Sequence, residues 1–319
     1  MAEDRTDLMS TPGRTNVVVA GVDGSEAALH ATRWAAEQAQ ARSAALLLVH
    51  GWDLPRLGLF GRRGDRGDRG DDGLSATLRE DGDRMLADAA RAVTEQFPGV
   101  PVSCRLAAGR PSEALREASD RALLVVVGAR RGRLAGALLG STSWNLVLAS
   151  TTPVAVVRGD HGNERHRRTE GPVVVGVDGS AISEAAVGYA FEEAAVRGVR
   201  LVALSCWERA DVALGTPSLA VHRDPSELEA EERTTLAEQL AGWRERYPDV
   251  EVQAVIDPGR PTSVLLERSG TAALLVVGSR GLSGLAGLAL GSTSQALVSN
   301  AACPVVVVRP RHLVGAEQR

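Results

Sequence analysis

Beyond an apolar run in the C-terminal half, the chain reads Gly278-Ser279-Arg280-Gly281, then nine residues, then Gly291-Ser292-Thr293. Glycines spaced in this way suit the binding of an anion such as phosphate. Without a Cβ the backbone amides can close on the anion, and some turn positions need a positive φ. A helix opening at Ser292 would present unpaired N–H groups and the positive end of its dipole to the same anion, and Arg280 would add charge. Ser292 stands three residues before Gln295, the spacing of a capping box, so its hydroxyl either contacts phosphate or caps the helix. The run matches neither the Gly-x4-Gly-Lys-Ser/Thr loop nor the Gly-x-Gly-x-x-Gly dinucleotide fingerprint.

A degenerate copy lies in the N-terminal half. There the run is Gly128-Ala129-Arg130-Arg131-Gly132-Arg133, and seven residues separate Gly132 from Gly140-Ser141-Thr142. The segment is one residue shorter and Arg131 stands where the second glycine is expected, which puts phosphate geometry there in doubt. Its arginines either attract a polyphosphate or form a solvated loop surface. Each half also contains an Asp-Gly-Ser, at Asp23-Gly24-Ser25 and Asp178-Gly179-Ser180, whose aspartate is either a ligand-binding group or a turn former beside a helix cap. No catalytic constellation accompanies these loops. The six histidines, His30, His50, His161, His166, His222 and His312, form no metal-spaced pair. Ser141 and Ser292 lack a nucleophile elbow, and no lysine or acidic metal motif of fast phosphoryl transfer is present. No catalytic residue and no metal ligand is assigned, and any phosphoryl transfer should be slow and incidental.

Such loops need a scaffold that ends several strands at one edge, and the sequence supplies it twice. Val17-Val18-Val19-Ala20-Gly21-Val22-Asp23-Gly24-Ser25 returns as Val173-Val174-Val175-Gly176-Val177-Asp178-Gly179-Ser180, and Asp23 and Asp178, like Trp52 and Trp207, lie 155 positions apart. Gly109-Arg110-Pro111 recurs as Gly259-Arg260-Pro261, and Pro153-Val154-Ala155-Val156-Val157-Arg158 as Pro304-Val305-Val306-Val307-Val308-Arg309. So many matches in one order mean a duplicated domain, because solenoid units run only about 20–50 residues. Domain one is expected over 1–160, a polar linker over 161–171 and domain two over 172–319. Residues 61–73, with Arg and Asp interleaved among glycines, read as a mobile loop inside domain one. In each copy, apolar runs without polar alternation, at 17–20, 45–49, 100–106, 123–127 and 154–157 in the first, are separated by helical patterns. That predicts parallel strands covered on both faces, a doubly wound α/β fold.

Gly-x2-Gly-x9-Gly-Ser after a buried strand, followed by a helix and Cys303-Pro304-Val305-Val306-Val307-Val308, resembles the ATP-binding subgroup of the universal stress protein family. Gly176-Val177-Asp178-Gly179-Ser180 resembles that family's opening strand and turn, and the duplication its tandem form. The resemblance implies two tandem parallel-sheet domains, Rossmann-like and of the adenine nucleotide alpha hydrolase type, with ATP as ligand. It implies that Gly278, Ser279, Arg280, Gly281, Gly291, Ser292 and Thr293 hold phosphates and ribose. Gly176 and Asp178 would sit at the nucleoside end, and backbone near Cys206 would read adenine. The matching positions of domain one are Gly21, Asp23, Gly51, Gly128, Ala129, Arg130, Gly132, Gly140, Ser141 and Thr142. All of them lie where strands end, the place open parallel sheets put ligands. The resemblance further implies that the last apolar strands of the two copies pair about a pseudo-two-fold axis, covering an edge that would otherwise be exposed, with a homodimer as a further option. Whether Mg2+ accompanies ATP is left open.

Composition narrows the remaining classes. A formal charge of −4, 44% hydrophobic residues and only 3% aromatics describe an ordinary soluble chain with Ala- and Val-rich cores, and no basic stripe marks a nucleic-acid surface. Residues 1–15 are polar without an apolar targeting core, and no run of about 18 apolar residues occurs, so a cytoplasmic location without membrane contact is expected. Three cysteines, Cys104, Cys206 and Cys303, lack metal-ligand spacing and read as small buried side chains in a reducing compartment. The expectation is an ATP-binding stress-response regulator whose nucleotide acts as a ligand and which meets a protein partner of unknown identity. The rival readings are a slow ATPase or nucleotidyl-transfer enzyme on the same scaffold and a nucleotide-free interaction module.

Overall fold

β-branched runs form the strands, and alanine-rich helices lie close against them. The computed structural model describes residues 16–53, 68–129, 140–159, 170–206, 225–281 and 290–309. Its first half runs β1 (Val17–Gly21), α1 (Glu26–Ala41), β2 (Ala45–Trp52), α2 (Asp68–Gln96), β3 (Val102–Ala108), α3 (Pro111–Ser119), β4 (Leu124–Ala129), α4 (Ser141–Ala149) and β5 (Val154–Arg158). The second half repeats the order as β6 (Val173–Val177), α5 (Ala181–Arg197), β7 (Leu201–Cys206), α6 (Pro225–Arg246), β8 (Val252–Asp257), α7 (Pro261–Arg268), β9 (Leu274–Gly278), α8 (Ser292–Asn300) and β10 (Val305–Val308).

The strands join in one ten-stranded sheet of order β3-β2-β1-β4-β5-β10-β9-β6-β7-β8. Every pairing within a half is parallel, as unalternating apolar runs predict. The one antiparallel pairing joins the halves, with Val156 opposite Val305 and Val154 opposite Val307. The edge-covering role expected of the last strands is thus met within the chain. Successive strand residues feed opposite faces: Val18 and Ala20 belong to the core layer that holds α1, α2, α5 and α6, whereas Val19 belongs to the layer that holds α3, α4, α7 and α8. β3 and β8 are the outer strands, and β3 exposes Ser103, Cys104 and Arg105, so two-sided burial fails at the edge.

Two sequence expectations are corrected. Residues 68–73, assigned to the mobile segment, form the start of α2; the rest of that segment lies outside the described residues. Only Cys303 is fully buried, for Cys206 is half-buried and Cys104 exposed on the edge strand.

The halves are tied by charge as well as by the sheet. Arg42 at the end of α1 pairs with Glu193 of α5, which also accepts from Arg197 Nε at 3.0 Å. The carboxylate is wholly buried, and Arg197 lies over the Trp34 ring of the first half. Arg158 of β5 reaches into the second half, donating from one guanidinium nitrogen to Ala301 O at 2.7 Å and from the other to Val298 O. It thereby satisfies carbonyls at the C-terminal end of α8.

Candidate functional site

The second half opens a cleft of about 520 Å³ beyond the C-terminal ends of β9, β6 and β7. Gly176, Asp178, Cys206, Gly278, Arg280, Gly281, Gly291, Ser292 and Thr293 all line it, so nine of the residues singled out by sequence meet in one place. Ser279 does not join them. Its side chain is buried, and its backbone holds the turn, with the amide donating to Val308 O at 2.9 Å and the carbonyl accepting from Gly291 N at 2.8 Å.

The N-terminus of α8 decides the capping question. Gly291 is the N-cap and makes no side-chain cap hydrogen bond, while Ser292 is already the first helical residue. The capping-box reading of Ser292 is therefore wrong, because the hydroxyl sits one position too far into the helix. α7, which begins beside the cleft at Pro261, likewise lacks a side-chain cap, and the first turns of the two helices touch through Thr262 Oγ1 and Thr293 Oγ1 at 3.3 Å. α5 differs, for Ser180 caps it by accepting from Ser183 N at 3.1 Å. Two helix N-termini without side-chain caps thus converge on one cavity, an arrangement suited to an anion.

Glycine serves space rather than handedness in the loop. Positive φ occurs at Gly24 and Gly179, inside the Asp-Gly-Ser turns, and not at Gly278, Gly281 or Gly291. A Cβ on Gly281 would lie 2.2 Å from Asp178 Oδ2, and one on Gly278 would lie 2.7 Å from Ile182 Cγ2. Asp178 is a turn former and also lines the cleft. Its Oδ1 accepts from Ser180 N at 3.1 Å and Ser180 Oγ at 2.7 Å, forming the turn, while its Oδ2 stands beneath Gly281 at the cleft.

Val177, Leu204, Leu265, Val277 and Leu290 give the cleft apolar walls, and Glu232 of α6 lines it beside Ser205, whose hydroxyl donates to Glu232 Oε2 at 3.2 Å. Sequence reading missed Glu232. It belongs to no motif, and its approach to the strand ends depends on how α6 sits on the sheet. Cys206, also at this end, has its thiol pushed up to about 12 by burial, with the Asp257 charge adding and Arg268 opposing.

The first half keeps the frame. Gly21 ends β1, Asp23 Oδ1 accepts from Ser25 N at 3.0 Å, and Ser143 Oγ donates to Gly128 O at 3.0 Å as Ser294 Oγ does to Gly278 O at 2.7 Å. Ala129 ends β4, and Gly140 is an N-cap without a side-chain bond, followed by Ser141 and Thr142 in the first turn of α4. Gly51 is packed tightly: a Cβ there would lie 2.5 Å from Pro111 Cα. Arg130 and Gly132, with Arg131 and Arg133, lie outside the described residues.

The profile of the Universal stress protein family matches residues 15–158 and again 171–309. The chain belongs to the universal stress protein family. Among curated universal stress proteins, Rv2005c of Mycobacterium tuberculosis is 37% identical over 308 residues, covering 94% of this chain and 99% of its own length. A universal stress protein of Mycolicibacterium smegmatis is 36% identical over 303 residues, covering 92% and 97% respectively. The crystal structure of a universal stress protein from Archaeoglobus fulgidus superposes with a TM-score of 0.69 at 20% identity, over 93% of this chain and 99% of that one, a likeness of fold. Both halves are thus universal stress protein domains, and the cleft occupies the crevice at the strand ends expected of a doubly wound sheet.

Proposed function

We propose that the second half binds ATP, and that the nucleotide acts as a regulatory ligand rather than as a rapidly turned-over substrate. The observation that carries the reading is the pair of helix N-termini, of α7 and α8, that lack side-chain caps and meet beside Arg280 at an apolar-walled cleft. Phosphates would take the amides of residues 278–281 and the first turn of α8, and the nucleoside would extend past Asp178 toward β7. Any magnesium ion would ride on the phosphates themselves, since the described residues offer no clustered ligand set for one. Binding at one end of α8 favours whichever arrangement of the halves holds that helix in place, and so changes the surface a protein partner meets.

Mass spectrometry of the denatured protein as purified, followed by calorimetry with ATP, tests this directly. One adenine nucleotide per chain, lost in Asp178→Ala and recovered unhydrolysed after hours, is the expected result. Absence of any ATP binding by wild type defeats the proposal, and multiple turnovers abolished by Gly281→Ala would make the protein an enzyme.

A further inference from the structure

We infer that Glu232 is the base-selecting residue of the second-half cleft, accepting a hydrogen bond from an exocyclic amine and so favouring 6-aminopurine over 6-oxopurine nucleotides. The inference rests on the nucleotide reading above. Its first support is the order of the sheet. The phosphate-type groups, Gly278 to Gly281 and the first turn of α8, stand at the end of β9; Asp178 stands at the end of β6; Ser205 and Cys206 stand at the end of β7. These strands are consecutive in the order β9-β6-β7, so the third station lies two strand spacings, about 10 Å, from the first. A nucleotide is itself ordered phosphate, sugar, base. Laid along this crevice with its phosphates on α8, it puts the sugar at Asp178 and the base at Ser205 and Glu232.

The second support is chemical. A carboxylate only accepts hydrogen bonds, and Ser205 Oγ at 3.2 Å both orients Glu232 and leaves it acceptor capacity. Its cleft neighbours Leu204 and Leu265 are apolar and suit the face of a ring. An amine at the purine 6-position meets this acceptor as a donor. An oxo group there presents a lone pair to a negative charge and offers the carboxylate no donor beyond Ser205.

The third support is the first half, where both members of the pair differ together. The strand-end position equivalent to Ser205 is His50, and the helix position equivalent to Glu232, counted from the shared Pro98 and Pro248 beyond the helix ends, is Gly82. His50 Cδ2 lies 2.8 Å from where a Cβ of Gly82 would be, and His50 Nδ1 is 2.7 Å from Val22 O. The first half thus has an imidazole packed against a glycine where the second has a hydroxyl bonded to a carboxylate.

The test is calorimetric titration of the full-length protein with ATP, ITP and 2′-deoxy-ATP, for wild type and for Glu232→Gln and Glu232→Ala, with thermal melts confirming that each variant folds. Wild type should bind ATP roughly ten- to a hundredfold more tightly than ITP, the scale of a hydrogen bond to a charged group. Glu232→Gln, which can turn its amide N–H toward an oxo group, should erase most of that ratio. A ratio near one in wild type, or one unchanged in both variants, overturns the inference while ATP binding stands. If the variants instead erase discrimination against 2′-deoxy-ATP, Glu232 serves the ribose and the base assignment is wrong. Failure of wild type to bind any of the three removes the nucleotide reading itself.

Discussion

At Gly281 the residue scale is set by a carboxylate beneath it. With a Cβ placed 2.2 Å from Asp178 Oδ2, Gly281→Ala must push the aspartate aside or lift the loop. ATP affinity should fall at least about tenfold, the equivalent of one hydrogen bond to a charged group, while the thermal midpoint stays within a few degrees of wild type. Cys206 offers a second reading of the same cleft. Its thiol, pushed up to about 12, is neutral in the folded chain through the pH range in which an unfolded thiol ionises. The stabilisation this gives is present below the ordinary thiol range and is lost as the pH climbs toward the folded value. Peptide mapping after iodoacetamide at pH 8 should find exposed Cys104 labelled well before Cys206, and ATP should slow Cys206 alone. Labelling of Cys206 as fast as a free thiol would contradict that environment. At this scale the glycines, Asp178 and the serine-led helix were legible because each is a local motif. Of the two readings left open for Ser292, capping fails by one register position, and Glu232 left no local trace.

Among the elements, α8 has unlike ends. Its first turn faces the cleft without a side-chain cap, while Arg158 from the first half satisfies carbonyls at its last turn. Arg158 is only 8% exposed, so Arg158→Met removes charge-assisted bonds that water does not replace. The loss should be about 2–3 kcal/mol in urea unfolding, and ATP affinity should weaken with it if α8 transmits between its ends. Ser180→Ala strips a conventional side-chain cap from α5 and should cost about 1 kcal/mol in the same unfolding measurement. The strands were legible from apolar runs, save the exposure of β3. The start of α2 was not, because its glycine-rich composition masks the helix.

For the molecule as a whole, the duplication and the α/β class were written plainly in the sequence, and the pairing of the last strands followed from the resemblance and from the cost of an open edge. What the repeat concealed is where the copies differ at their seam. Gln38 in α1 corresponds to Glu193 in α5, whereas Arg42 and Arg197 are retained. One carboxylate therefore serves two arginines, accepting from Arg42 across the halves and from Arg197 within its own helix. Glu193→Gln makes the two copies alike at this position and strands buried guanidinium charge. Breaking a buried pair in this way should cost about 3–5 kcal/mol by chemical denaturation, against less than 1 kcal/mol for an exposed pair such as Arg91 with Asp88.

The antiparallel contact of β5 with β10 is made by two stretches of a single polypeptide. Its formation is unimolecular, so protein concentration does not enter the equilibrium. Thinning of the cell's contents during growth, or a fall in synthesis under starvation, leaves every β5 with its complement. Copies of unlike sequence are also spared exchange with one another, and the two halves are free to diverge while travelling together.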